Sequence, residues 1–261
     1  MAIIVLSHGS RHPAAAGAVE ELARATEELT GEVTRAAYLD FTAPTLADAA
    51  LTLALAGETQ ATVVPLLFTE GYHARVDVPT VAAEASELTG VDLRVAPVLG
   101  TGSDIAALLA ARVHDPSAHL VIYSVGSSNA QANAAVERLA VRVGDLTGQS
   151  TSCIFATKAA GTPYGLAGVD AQCATHGSAE VLPLFVAPGL LLDLLEPRGV
   201  HRIGKTYDGG VPEPLGAALA PIVAARARGG ALGVVHARHS GQGAPVRFPL
   251  RGHATSATVR D

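Results

Sequence analysis

Three side chains in the first third of this sequence could handle a metal ion or a proton: His8, Asp40 and His73. Two imidazoles and a carboxylate suit a first-row divalent ion such as iron, nickel or cobalt. They also suit proton transfer near neutrality, because an unperturbed imidazole titrates at about 6.5. Each has an ordinary alternative. His8 alone reads equally as a satisfied loop histidine, and Asp40 as a residue that starts a helix. His73 alone reads as a surface loop residue, although Glu70, Tyr72 and Arg75 beside it favour a functional loop.

Whether the three meet depends on the elements around them. Ile3-Ile4-Val5-Leu6 is a short, β-branched run that reads as a buried strand. It ends in Ser7-His8-Gly9-Ser10, and Pro13 then opens a helix. Val19, Leu22, Ala23 and Leu29 mark the apolar face of that helix, with Glu20, Glu21, Arg24 and Glu27 opposite. A second strand over 33–39 closes at Asp40. Pro44 starts a helix carrying Leu46, Ala49, Ala50, Leu53 and Leu55, stopped by Gly57. Residues 61–68 read as a central strand in which Pro65, lacking a donor, marks an end or a bulge. Past His73 come a helix over 78–88, a strand over 93–96 and a helix over 104–113. Such alternation predicts a parallel sheet covered on both faces. The carboxyl ends of parallel strands share one edge, so His8, Asp40 and His73, each following one of the first three strands, can converge there.

The second half repeats the first. Leu120-Val121-Ile122-Tyr123-Ser124-Val125-Gly126-Ser127 matches the opening strand and loop, and Val181-Leu182-Pro183-Leu184-Phe185-Val186 matches Val63-Val64-Pro65-Leu66-Leu67-Phe68. Gly71 pairs with Gly189 and Pro79 with Pro197. The chemistry is not repeated: His8 falls on Val125, His73 on Leu191, and Asp40 on Lys158 or its neighbour. The predicted organisation is an α/β fold of two tandem parallel-sheet domains, 1–115 carrying the polar groups and 118–237 a degenerate copy, joined at His114-Asp115-Pro116-Ser117. Residues 238–261 read as a flexible tail. The His236–His239 spacing there is expected to be adventitious.

Composition narrows the rest. A chain of 261 residues with 49% apolar content and no Trp is an ordinary α/β composition, and a net charge of −6 carries no electrostatic footprint for nucleic acid. Two cysteines, Cys153 and Cys173, without CxxC spacing indicate neither a disulfide framework nor a structural zinc site. The apolar start is too short for a signal peptide, and no apolar run reaches the roughly 18–20 residues of a membrane span. A cytoplasmic protein with no membrane partner is expected. Phosphoryl transfer finds little support, since no Gly-rich phosphate loop of the usual spacing is present.

Ser7-His8-Gly9-Ser10-Arg11, then Leu39-Asp40 followed by Pro44-Thr45-Leu46, then Pro65-Leu66-Leu67-Phe68 leading to Gly71-Tyr72-His73 and Asp77-Val78-Pro79, together resemble the class II chelatases. These are the sirohydrochlorin cobalto- and ferrochelatases of the CbiX/SirB type, here in a two-domain form with pseudo-twofold, flavodoxin-like halves. The resemblance implies insertion of a divalent metal into sirohydrochlorin in a cleft between the domains. Iron, giving sirohaem, is expected ahead of cobalt for cobalamin, and a non-catalytic metal or tetrapyrrole carrier is the alternative of a different class. It makes His8 and His73 the metal-handling histidines, with Asp40, where many members have Glu, as a further proton acceptor. Ser7, Gly9, Ser10, Arg11, Tyr72 and Arg75 are the residues expected around the substrate. Arg11 and Arg75 would meet its carboxylates, their alternative being a solvated surface. No permanently bound cofactor is expected, because the metal is substrate, and a monomer with an inter-domain site is the expected form.

Overall fold

The computed structural model of the chain describes residues 1–71, 73–161, 163–196 and 210–229. Tyr72, Pro197, the three tail histidines and residues 238–261 lie outside them. Two parallel sheets are present. The first has four strands, β1 (Ala2–Ser7), β2 (Thr34–Tyr38), β3 (Gln60–Pro65) and β4 (Asp92–Val95), in the order β2-β1-β3-β4. The second has β5 (His119–Ser124), β6 (Thr151–Phe155) and β7 (Ala179–Pro183) in the order β6-β5-β7, which is the order of the first three strands over again. Two tandem α/β units are therefore present, as the repeat implies. Pro65 and Pro183 each end their strand, where a missing N–H costs no ladder bond.

Burial alternates along β1. Ile3 and Val5 face one layer, and Ala2, Ile4 and Leu6 face the other. The outer layer of the first sheet is α2 (Leu46–Leu55) and α3 (Val78–Thr89). The inner layer begins with α1 (Ala15–Thr30), which buries Ala15, Val19, Leu22, Ala23 and Thr26. Leu29 lies on the same stripe yet is exposed. A 16-residue helix rises about 24 Å and a 6-residue strand about 20 Å, so the last turn overhangs the sheet. Leu55 is also exposed, lying about 200° around α2 from buried Leu53. Thr45, not Pro44, caps α2: its hydroxyl accepts the Asp48 N–H while the Asp48 carboxylate accepts the Thr45 N–H.

Between the sheets the halves exchange helices. After β4, α4 (Ser103–Ala110) packs on α5 (Ala130–Thr147) of the second half. The last helix, α7 (Ala220–Arg228), returns to pack on α1 and β3 of the first. One apolar core consequently contains Val19 and Leu22 of α1, Ile105 and Leu109 of α4, Leu139 and Val143 of α5, and Ile222 and Val223 of α7. Arg226 of α7 fastens the exchange, donating to the carbonyls of Val98 (3.1 Å) and Leu99 (2.5 Å) and pairing with Asp104 (2.7 Å). Arg112 reaches the carbonyls of Glu213 and Pro214, both at 2.9 Å. Hydrogen bonds to a charged group are each worth roughly 1.5–3 kcal/mol. The outer layer of the second sheet is α6 (Gly165–His176) with the turn Asp193–Leu195. No helix among the described residues is long and apolar enough to cross a membrane.

At the opposite end of the second sheet, buried His119 opens β5 with its Nδ1 2.7 Å from Ser150 Oγ and its Nε2 2.9 Å from Ser152 Oγ. His176 stacks on it, ring centroids 3.7 Å apart and 2° from parallel. Burial, and then the charge of His176, hold the His119 imidazole below its ordinary pKa. The unfolded chain therefore takes up this proton first, and stability falls as pH drops through about 6.5. Thermal melts between pH 7.5 and 5.5 should show a smaller loss of Tm for His119→Gln than for the unaltered protein. Equal losses would remove His119 as the cause. The helix exchange makes a second prediction: residues 1–117 expressed alone lack α7 and expose the apolar inner face of α1. Light scattering should find that fragment dimeric or aggregated, and a monomer with a cooperative melt would contradict the shared core.

Candidate active site

In the order β2-β1-β3-β4 the chain leaves β1 toward one side and β3 toward the other, so their loops diverge and open a crevice at the carboxyl edge. His8 follows β1 directly, and His73 opens a π-helical turn, His73–Asp77, that runs into α3 after β3. The two histidines thus belong to the loops on either side of that crevice.

Asp40 is brought to His8 through the backbone. Strand pairing between β1 and β2 continues past the strand ends, the Leu39 N–H donating to Ser7 O (2.9 Å) and the Asp40 N–H to His8 O (3.0 Å). Gly9 permits the approach: with φ +92°, any Cβ there would lie 1.8 Å from Asp40 O. Thr42 completes the stitching, its Oγ1 donating to Ser10 O at 3.2 Å. The Asp40 carboxylate is exposed and accepts the Phe41 N–H at 2.7 Å.

The other expected residues fall into two groups. Ser7, Gly9 and Ser10 form the His8 loop, where Ser7 Oγ accepts the Gly9 N–H and Ser10 Oγ accepts the His12 N–H (3.1 Å). Arg11 is exposed, its guanidinium carbon 4.8 Å from the centre of the Phe41 ring. Arg75 is exposed and paired with Glu70 at 3.5 Å, within its own loop. No hydrogen bond or ion pair links Arg75 to the His8 and Asp40 loops among the described residues. Nor is any group of three His, Cys, Asp or Glu side chains gathered as a metal cage among them.

The second half stands beside this edge. The Ala14 N–H donates to His12 Nδ1 (3.2 Å), which places the ring proton on Nε2, 3.3 Å from Asp193 Oδ2. His12 follows β1 and Asp193 follows β7, so this pair joins the carboxyl edges of the two sheets. On the second sheet the Ala156 N–H donates to Ser124 O (2.8 Å) and the Thr157 N–H to Val125 O (3.2 Å). These repeat the Leu39 and Asp40 bonds, which puts Thr157, the neighbour of Lys158, at the Asp40 position. Val125 and Leu190 are 41% and 61% exposed, so this edge presents apolar groups where the first presents polar ones. Buried Tyr123 fixes the adjoining loop by donating its hydroxyl to Leu191 O (3.2 Å). The motifs did not point to Phe41, His12 or Asp193 as site residues. Phe41 and His12 adjoin the identified Asp40 and Arg11, whereas Asp193 gave no signal.

Residues 2–116 match the CbiX family model. Two curated relatives, both named sirohydrochlorin cobaltochelatase, match over shorter stretches. The one from Sulfurisphaera tokodaii is 35% identical over 78 residues, 30% of this chain and 62% of that protein. The one from Methanopyrus kandleri is 30% identical over 80 residues, 30% of this chain and 56% of that protein. The matched stretch thus spans less than two thirds of either. Among solved structures, SirB from Bacillus subtilis with Fe3+ aligns with a TM-score of 0.57 at 21% identity, over 73% of this chain and 78% of that one. A multi-domain protein from Deinococcus radiodurans with structural similarity to chelatases aligns with a TM-score of 0.62 at 20% identity, over 87% of this chain and 55% of that one. At those identities the likeness is one of fold, and it extends across both halves. Over residues 2–116, less than half of its length, the chain is similar to the CbiX family.

Proposed function

We propose that this chain inserts a divalent metal ion into sirohydrochlorin at the carboxyl edge of its first sheet. The observation that supports this most is the stitching of the Asp40 loop to His8 beside the β1/β3 crevice, in a chain whose first half matches CbiX. The metal is a substrate. His8 and His73 hold the ion as it sheds water and present it to one face of the macrocycle. Two histidines suit an ion that must be passed on, where a closed four-ligand site would retain it. As the metal enters, pyrrole N–H protons pass to an imidazole or to the Asp40 carboxylate, whose exposure lets them continue to water. Substrate carboxylates meet Arg11 and the N-terminal end of α1, where backbone N–H groups carry partial positive charge. The apolar edge of the second half, with Val125 and Leu190, covers the other face of the ring and excludes water. The chain acts as a monomer with its site between the two sheets. Iron, giving sirohaem, is the metal we favour. Cobalt is the second reading, supported by the names of the two curated relatives.

Purified protein mixed with sirohydrochlorin and Fe2+ or Co2+ should give the absorption change of metal insertion, and the faster metal at equal concentration identifies the preference. His8→Ala and His73→Ala should each lower kcat/KM by about a hundredfold or more while circular dichroism stays unchanged. Turnover near that of the unaltered protein in either variant would remove that histidine from the mechanism, and metal binding without turnover would favour a carrier. Gly9→Ala should lose activity through the backbone, because its methyl drives the Asp40 loop from His8, and should cost about 1–3 kcal/mol of stability. A Gly9→Ala protein that melts and turns over normally would show that the two loops need not touch.

A further inference from the structure

Phe41 is the non-glycine residue with left-handed backbone among the described residues, at φ 61°. A bulky side chain is disfavoured there, because its Cβ crowds the following carbonyl, and such a conformation persists only where its surroundings impose it. Asp40 Oδ1 accepts the Phe41 N–H at 2.7 Å, the Thr42 N–H returns to Asp40 O at 2.7 Å, and Thr42 Oγ1 is tied to Ser10 O. Burial is not what the strain secures, since the residue is 51% exposed. A loop that needed only to turn would be served by Gly or Asn. The ring instead meets two residues of the neighbouring loop. It stands 86° to the His8 imidazole with centroids 6.0 Å apart, and the Arg11 guanidinium lies over it at 4.8 Å. The ring quadrupole attracts the cation, while the guanidinium keeps its N–H fork for a carboxylate.

We propose that Phe41 is a positioning residue, holding the Arg11 guanidinium at a fixed place relative to the His8 imidazole so that a macrocycle seated over His8 meets Arg11 with a peripheral carboxylate. The identity of the macrocycle rests on the function proposed above. The Asp40 carboxylate shares in the device, because it clamps the strained Phe41 backbone.

The test uses the full chain with Phe41→Gly, Phe41→Leu and Phe41→Tyr. Equilibrium binding of metal-free sirohydrochlorin is read from its fluorescence, beside steady-state kinetics and thermal melts. Glycine relieves the backbone, so Phe41→Gly should melt at or above the Tm of the unaltered protein while Kd and KM rise about five- to tenfold and kcat changes by less than about threefold. Phe41→Leu, which keeps apolar bulk but no ring face, should bind as weakly as Phe41→Gly, and Phe41→Tyr should restore binding. Kd for Phe41→Gly within about twofold of the unaltered protein, or equal binding by the Leu and Tyr variants, would overturn the proposal. If the unaltered protein binds the macrocycle but inserts no metal, the activity reading falls and the same Kd comparison still decides Phe41. An unaltered protein that does not bind sirohydrochlorin overturns both.

Discussion

Two loops of this protein touch backbone to backbone, and the site depends on that contact. Neighbouring parallel strands run about 4.8 Å apart, and their connections usually part where pairing ends. Here pairing continues for two residues beyond the strands, through Leu39 to Ser7 and Asp40 to His8. Gly9 then turns away into the approach to α1 without a side chain to push Asp40 aside. The position of His8 relative to Asp40 is consequently set by main-chain hydrogen bonds and strand register, which are much stiffer than a meeting of two long side chains. Phe41 and Arg11 build outward from this contact.

The second half shows that this geometry and its chemistry are separable. Gly126 takes the left-handed conformation of Gly9, and a Cβ there would lie 2.8 Å from Phe155 Cβ and 2.9 Å from Ala160 Cβ. The two main-chain bonds recur, yet Val125 and Thr157 stand at the positions of His8 and Asp40, and the Thr157 hydroxyl donates back to Val125 O at 3.0 Å. An apolar Val125 and a Thr157 hydroxyl bound to the backbone offer no ligand to a metal. Joined to the first half at His12 and Asp193, the second half is suited to contribute shape.

Much of this was legible in the residues. Strand–helix alternation, the order of polar residues after successive strands and the internal repeat follow from periodicity and residue type, which are local. Pro65 marked a strand end for a local reason too, since it has no N–H to donate. What was not legible is relational. The apolar stripes of α4 and α7 declare that each helix is covered, but a stripe does not name its partner, so their exchange between halves is invisible until the core is assembled. Leu29 has the right spacing to be buried and is not, because helix and strand lengths do not match. Thr157, not Lys158, stands at the Asp40 position because hydrogen-bond register decides equivalence. Phe41 escaped notice because the sign of φ is not written in the letter F, and phenylalanine is a poor advertisement for a left-handed turn.

The exchanged helices also govern the order in which the chain can mature on the ribosome. Domains ordinarily fold as units while synthesis proceeds from the N-terminus. Here α1, Ala15–Thr30, waits for α7, Ala220–Arg228, before its inner face is covered. Until α7 is made, the nascent first half carries the His8 and Asp40 loops on an incomplete scaffold. Contacts across so long a stretch of sequence form slowly. The edge that bears His8 and Asp40 is therefore made before α7 and gains its full cover only after it.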